Sequence, residues 1–351
     1  SVPALFCLKN CIKTAAMVIF AKYTKMMLVF VFIVALYFVS GEIQNVPSRI
    51  NLRVLTMNTW QAGEKVENGL NKIVKHIRAL HADIVFLQEM NAKAFDELMK
   101  KLGNQWSGQI HLDHKESKPA IVTKHKIIAD TKFYTNWTFG LTIFHDSGMT
   151  LNVVNVHLNY RDYGPELLDF AKRGLTSAQL VAPDFQPDGR FQNILDLSAH
   201  PSFKKFVAQT SAVPLILAGD FNEPSHLDWT SKTSHLHKNL VVEWPVTKHL
   251  SEKVGLIDTF RHLRPDASAE PGNTWSSVWD EAFEPSDRID FVFYKSDQMK
   301  PIRSFIYSGT EQLKKLPEKY RNVDTEELDE RDWSSDHYSV VTDFVMHKTK
   351  N

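Results

Sequence analysis

The sequence predicts an α/β protein whose sheets and helices form one large domain, and two observations carry this. Short apolar runs suited to buried strands alternate with stretches whose apolar residues recur at helical spacing. Six polar motifs, spread from Asn58 to His337, each adjoin such a run, so the last must fold back to meet the first. Sheet-based folds routinely reach about 250 residues as one domain, so a chain of 351 residues does not require two.

The first element stands outside that domain. Met26 to Val39 is a 14-residue apolar run, preceded by Lys22 and Lys25 and followed by Ser40-Gly41. A basic start, an apolar centre and small residues at the end describe a cleaved secretory signal, cut after Gly41. A membrane span needs about 20 apolar residues, so a signal anchor is the lesser alternative. The expected division is a leader over 1–41 and a folded domain over 42–351, exported, with no stable membrane span after cleavage. Cys7 and Cys11 are the only cysteines and both precede the cut. That removes thiol nucleophiles and thiolate metal sites, and a core of this size needs no disulfide. Asn136-Trp137-Thr138 is the one glycosylation sequon.

The remaining elements follow in order. Leu52–Met57 reads as a strand ending in Asn58-Thr59-Trp60. Val66, Leu70, Ile73, Val74, Ile77 and Leu80 place a helix over Val66–Leu80, before the strand Ile84–Leu87 that ends in Gln88-Glu89. Phe95, Leu98, Met99 and Leu102 repeat the helical pattern, with Gly103 as its cap. Ala120–Thr123, Leu141–Phe144 and Leu151–Val156 are further strands, the last delivering His157. From Asn159 to Pro201 the period is lost among Gly164-Pro165, Pro183, Pro187 and Asp188-Gly189, which predicts a long functional or mobile connection. Leu215–Ala218 ends in Gly219-Asp220-Phe221-Asn222, and Asp287-Arg288-Ile289-Asp290 leads into the strand Phe291–Tyr294. Gly309–Arg331 is densely charged and reads as solvated helix or loop. Ser334-Ser335-Asp336-His337 then opens the strand Tyr338–Val341.

Charge narrows the partners. The chain has 41 basic and 41 acidic residues; without residues 1–41 the balance is 37 to 41, a net −4. Phosphate contacts dominate non-specific nucleic-acid binding, and no basic excess serves them here. A bound divalent cation would supply local positive charge, so nucleic acid is disfavoured without being excluded.

The polar groups fit metal-assisted hydrolysis. Asn58, Glu89 and Asp336 offer hard oxygen donors of the kind that suits Mg²⁺, Mn²⁺ or Ca²⁺. Asp220 and Asn222 lie two apart at a strand end, which would put them on one side, a carboxylate to activate water and an amide to orient the attacked group. Asp290 and His337 can pair as carboxylate and imidazole, the acid fixing the tautomer of the ring. His157 adds a second imidazole to neutralise a phosphate oxygen or protonate a leaving group. Each group alone has a blander reading: a turn residue for Asn58, a surface ion pair for Asp287-Arg288, a core histidine for His157. Six together outweigh six accidents.

In this order the motifs resemble the endonuclease/exonuclease/phosphatase superfamily, over about Leu52 to Phe344. Pro119–Ile127 is similar to a family strand, without the glycine that usually precedes it. The resemblance implies a four-layer α/β-sandwich, two packed and mainly antiparallel sheets flanked by helices, and a Mg²⁺-dependent phosphoesterase, with Mn²⁺ or Ca²⁺ as alternatives. It implies metal binding by Asn58 and Glu89 with Asp336 close by, and alignment or activation of the nucleophile by Asp220 and Asn222. It also implies that His337 with Asp290 stabilises the attacked phosphate or acts as base. His157 matches the histidine of the deoxyribonuclease and sphingomyelinase branches, where abasic-site enzymes have a tyrosine motif. Pro285-Ser286 stands where inositol phosphatases carry Trp-Cys. The stretch around Gly219–Thr230 is similar to a subgroup of secreted or exported members, and His226, Arg288 and Trp275 are its candidates for substrate contact, although core packing is the commoner role for Trp229 and Trp275.

The favoured expectation is an extracellular phosphoesterase for a small-molecule or lipid phosphoester. The alternatives are a secreted nuclease, with a basic groove from Arg161, Lys172, Arg173 and Arg190, and a non-catalytic binding module on the same fold. Nothing in the sequence fixes the oligomeric state.

Overall fold

The computed structural model describes residues 49–112, 118–170, 174–278, 285–309 and 332–347. The expected leader with its cysteines, Lys172 and Arg173, and the charged stretch 310–331 lie outside these residues.

Thirteen strands form two sheets among the described residues. The first sheet runs in the order β12 (Met299–Tyr307), β13 (Ser339–His347), β1 (Arg49–Asn58), β2 (Ile84–Gln88), β4 (Ala120–Thr123), β3 (Ser107–Ile110). The second runs β10 (Ile257–Asp258), β11 (Asp290–Lys295), β9 (Leu215–Asp220), β8 (Thr150–His157), β7 (Thr138–Phe144), β5 (Lys126–Ile127), with β6 (Phe133–Tyr134) also paired to β7. Neighbours are antiparallel except β1–β2 and β8–β9. The four-layer α/β-sandwich is the observed fold.

Alternation along the strands explains the layers. Side chains of β1 point in turn to opposite faces. Leu52 and Val54 pack between the sheets with Phe86, Ile121, Leu141, Val153, Ile216 and Val292. Leu55 and Met57 face outward onto Ile73, Ile77, Phe95 and Leu98 from helices α1 (Gly69–Ala79) and α2 (Ala92–Leu102). On the other side Val154, Val156 and Leu217 meet Ile194, Leu197 and Phe203. Strands covered on both faces read as continuous apolar runs, and these do.

Several elements depart from expectation for identifiable reasons. Helix α1 starts at Gly69 instead of Val66, because Asn68 takes a left-handed φ of 55°. Gly63 and Gly69 approach backbone to backbone there: a Cβ on Gly69 would lie 2.1 Å from the Gly63 carbonyl oxygen. Among the described residues, the aperiodic connection from Asn159 to Pro201 contains the α-helices α3 (Gly164–Phe170), α4 (Ser177–Val181) and α5 (Arg190–Ala199), and α6 (Pro201–Ala208) follows it. Each is too short to display a clear helical period. Strand β12 escapes the sequence pattern because it is an edge strand whose register shifts between Pro301 and Arg303, where a missing N–H is tolerated.

Candidate active site

Strand register gathers the polar ends at one pole of the sandwich. Asn58 pairs with Gln88 across the parallel strands β1 and β2. His157 pairs with Asp220 across β8 and β9, and Asp290 pairs with Asp220 from the other side. Parallel neighbours finish together, so their terminal side chains converge. Cross-sheet hydrogen bonds then fix the ends to one another. Asn58 Nδ2 donates to Asp220 Oδ2 at 2.9 Å and to Glu89 Oε1 at 3.2 Å. Gln88 Nε2 donates to Asn155 Oδ1 at 2.7 Å, and Asn155 returns its own N–H groups to the carbonyls of Leu87 and Ala120. Ser335 Oγ donates to the Asn58 carbonyl at 2.6 Å, holding the Ser334–His337 segment against the end of β1.

At the centre is an imidazole between carboxylates. His337 Nδ1 lies 2.9 Å from Asp290 Oδ2, and its Nε2 lies 3.8 Å from Asp220 Oδ2. Burial alone would disfavour the imidazolium, but Asp290, Asp220 and Asp336 outweigh it and push the His337 pKa up to about 10. Asp290 itself is raised, chiefly by burial. Thr274 Oγ1 accepts the backbone N–H groups of Ile289 and Asp290, fixing the start of β11. His157 Nε2 sits 3.9 Å from Asp220 Oδ2 and 4.0 Å from Glu89 Oε1. Asp220 is therefore the common neighbour of the two histidines and Asn58.

Asn222 is in the same place by a different route from the one expected. The strand ends at Asp220, and Asn222 turns away with a left-handed φ of 49°. Its backbone N–H donates to Asp220 Oδ1 at 2.9 Å, and its side chain donates to the Leu158 carbonyl at 3.0 Å. It still lines the cavity described below.

The acidic groups fit a hard divalent cation. Glu89 has a left-handed φ of 61°, and Gln61 N–H donates to its Oε2 at 2.8 Å. Such backbone strain in a non-glycine residue concentrates at functional sites. Asp336 is pushed up to about 6, first by burial and then by the charges of Glu89 and Asp220, and its Oδ1 is buried without a hydrogen bond. A carboxyl raised by burial and by neighbouring negative charge is what a cation relieves. Asp220, Asp290 and His337 also offer donor atoms within 4.8 Å of one another. Of these, His337 Nδ1 and Asp290 Oδ2 are joined to each other, while Asp220 Oδ2 shares the Asn58 Nδ2 donor with Glu89 Oε1. The Asn58 amide presents N–H groups to the two carboxylates, while its Oδ1 accepts the N–H of Trp60 at 3.0 Å.

These groups floor a cavity of about 960 Å³, with Glu89, His157, Asp220, Asp336 and His337 at the bottom and Trp60, Tyr160, Tyr163 and Trp275 in the walls. Trp275 is thus where substrate contact was expected, whereas Trp229 is buried and donates to Asp287 Oδ1 at 2.9 Å. His226 is not part of the lining; its Nδ1 meets Thr247 Oγ1 at 2.8 Å. Arg288 corrects the expectation of substrate contact. Its guanidinium is fully buried, bonded to Asp228 at 2.9 and 3.0 Å and to Asp258 at 2.6 Å. Asp258 in turn caps the helix Thr259–Leu263. Arg288→Met should therefore cost about 3–5 kcal/mol of stability, because it strands buried carboxylates. Urea denaturation reads this out, and a loss under about 1 kcal/mol would return Arg288 to the surface-pair class.

Sequence reasoning gave no role to Asn155, Thr274 or Tyr163. Tyr163 donates its hydroxyl to Asp287 Oδ2 at 2.9 Å, which ties the cavity wall to the Asp287–Asp290 motif. Asn155 was findable, since the strand period of two puts it on the face of His157.

A model of the endonuclease/exonuclease/phosphatase family matches residues 55–337. The chain belongs to this family. Members of the endonuclease/exonuclease/phosphatase superfamily are metal-dependent hydrolases of phosphoester bonds. The chain is 35% identical over 307 residues to the uncharacterized protein F14F9.5 of Caenorhabditis elegans, covering 84% of this chain and 91% of that protein. Among solved structures it is similar to the human Nocturnin catalytic domain with bound sulfate anion, at a TM-score of 0.50 and 19% identity, over 85% of this chain and 96% of that one. It is also similar to a family protein from Bacteroides thetaiotaomicron, at a TM-score of 0.51 and 14% identity, over 86% and 100%. At these identities the structural likeness carries the fold alone. No helix among the described residues is long and apolar enough to cross a membrane.

Proposed function

We propose that the protein hydrolyses a phosphodiester or phosphomonoester by in-line attack of water, with a divalent cation, Mg²⁺ first, held by Glu89 and Asp336. The observation that carries this reading is the convergence of the Asp290–His337 pair, Asp220 and His157 on the floor of one cavity. Asp220 is placed to accept a proton from water, with Asn58 and the Asn222 backbone N–H holding the carboxylate still. His337, kept protonated by Asp290, presents its Nε2 hydrogen to a phosphoryl oxygen. His157 serves the phosphate or the leaving oxygen. The bound cation would add Lewis acidity toward the phosphoryl oxygen.

The substrate we favour is a small or lipid phosphoester. The cavity lining carries Glu64, Glu89, Asp162, Glu166, Asp220 and Asp336 against Lys118, Arg161 and the protonated His337 as cationic side chains. A polyanion would meet that excess of carboxylates. Arg190, expected in a basic groove, is buried against Asp184 instead. A panel of plasmid DNA, RNA, sphingomyelin, inositol phosphates and bis-p-nitrophenyl phosphate tests the choice. We expect turnover of small or lipid esters and little of either nucleic acid. Efficient nicking of plasmid would establish the nuclease reading, and tight binding with no turnover would establish the binding module. Export through residues 1–41 is part of the same proposal; N-terminal sequencing of protein from the medium should find a start near Glu42.

A further inference from the structure

We propose that Arg190 is a positioning residue, which fixes the cavity wall Asn159–Tyr163 in the shape that meets the organic group of the ester. This deepens the phosphoesterase reading and rests on it.

The wall leaves β8 directly after His157, and Tyr160, Arg161, Asp162 and Tyr163 all line the cavity. A loop at such a place has no ladder to satisfy its carbonyls. Arg190 takes over that task from α5. Its Nη1 donates to the carbonyls of Asn159 at 3.1 Å and Arg161 at 2.7 Å, and its Nη2 donates to the carbonyl of Asp162 at 3.0 Å. One planar fork thus holds three carbonyls of one wall, which no point-like ammonium reproduces. Asp162 stands at a left-handed φ of 53°, a conformation that the Arg190 contact helps to hold. Asn193, from the next turn of α5, accepts the Asn159 N–H at 3.2 Å.

The hub reaches the catalytic turn as well. Arg190 Nε donates to Asp184 Oδ1 at 2.5 Å, and Asp184 is buried beside Glu223, the residue after Asn222. Burial, and then the Asp184 charge, raise the Glu223 carboxyl well above the usual carboxylate range, and burial raises Asp184 as well. Arg190 itself is 2% exposed and does not line the cavity, so its influence on substrate runs through the wall. Tyr160, 52% exposed, offers the ring that an apolar or planar ester group would meet.

Two probes with the same leaving group separate this role from a merely structural one: bis-p-nitrophenyl phosphate, with a ring as its retained group, and methyl p-nitrophenyl phosphate, without one. We expect Arg190→Lys to raise KM for the aromatic ester relative to the methyl ester about tenfold, the order of one aromatic contact. Tyr160→Ala should produce the same relative change, and the double variant should add little to either, because one contact is lost once. If Arg190→Lys fails to fold, Asn193→Ala replaces it in the same cycle. A KM ratio that stays at its wild-type value overturns the proposal, as does an equal fall in kcat for the two esters without a KM change. Wild type that turns over neither diester nor the monoester p-nitrophenyl phosphate with Mg²⁺ or Mn²⁺ overturns the phosphoesterase reading, and the role of the wall with it.

Discussion

Replacing His337 with alanine is expected to lower kcat on every ester by about 10²–10⁴, the usual cost of removing a positioned proton donor or acceptor. Its Nδ1 is committed to Asp290 at 2.9 Å, so the ring has one orientation and its Nε2 faces the cavity floor. Asp290→Asn removes the first of the charges that keep the imidazole protonated, and should lose activity on the same scale. The double variant should be little worse than either single one, since a shared function disappears only once. His157→Ala should behave differently. It pairs with Asp220 from another strand, and in our reading it serves the leaving oxygen, so unactivated esters should suffer more than nitrophenyl esters. Nitrophenolate leaves without needing a proton. Equal losses on the two ester types, or additive effects of Asp290 and His337, would show this division of labour to be wrong.

The second large effect concerns Glu89. Glu89→Gln should remove nearly all turnover while the protein stays folded. The glutamine oxygen can still accept the Gln61 N–H that Oε2 accepts now, so the local backbone keeps its anchor. What is lost is one of the anionic oxygens on which a hard cation depends for affinity. Calorimetric titration with Mn²⁺ should show binding weakened by at least about tenfold, with a melting temperature in EDTA close to that of wild type. Undiminished activity would remove Glu89 from the metal site.

Much of the site was legible because apolar runs stop where chemistry starts. Asn58, Glu89, His157, Asp220 and Asp290 each sit where a run of buried residues ends or begins, and register brings those ends together. Directions were harder. Strand periodicity puts Asp220 and Asn222 on one side only if the strand continues, and it stops at Asp220. An arginine beside Asp287 reads equally as surface or core; the distant segments that bring up Asp228 and Asp258 decide that Arg288 is buried. Asn58 is recognisably polar at a strand end, but whether it turns an oxygen or N–H groups to the cavity depends on Glu89, Asp220 and Trp60. The sandwich itself came from resemblance and not from spacing. Strand β1 pairs with β13, Arg49 opposite His347, and no local pattern specifies a partner that distant. Helices α5 and α6 were missed because their few apolar residues, Ile194, Leu197, Phe203 and Phe206, find their partners only on the sheet they cover, and α4 buries Leu180 against Trp229, Val242 and Trp244.

The central claim is that these strand ends form a metal-dependent phosphoesterase centre. The most direct measurement is hydrolysis of bis-p-nitrophenyl phosphate by purified wild-type protein, stripped with EDTA and then titrated with Mg²⁺, with Glu89→Gln assayed in parallel. The account predicts no turnover in the stripped protein, saturable recovery with Mg²⁺, and no recovery in the variant. Turnover that persists in EDTA, or equal recovery in the variant, would contradict it.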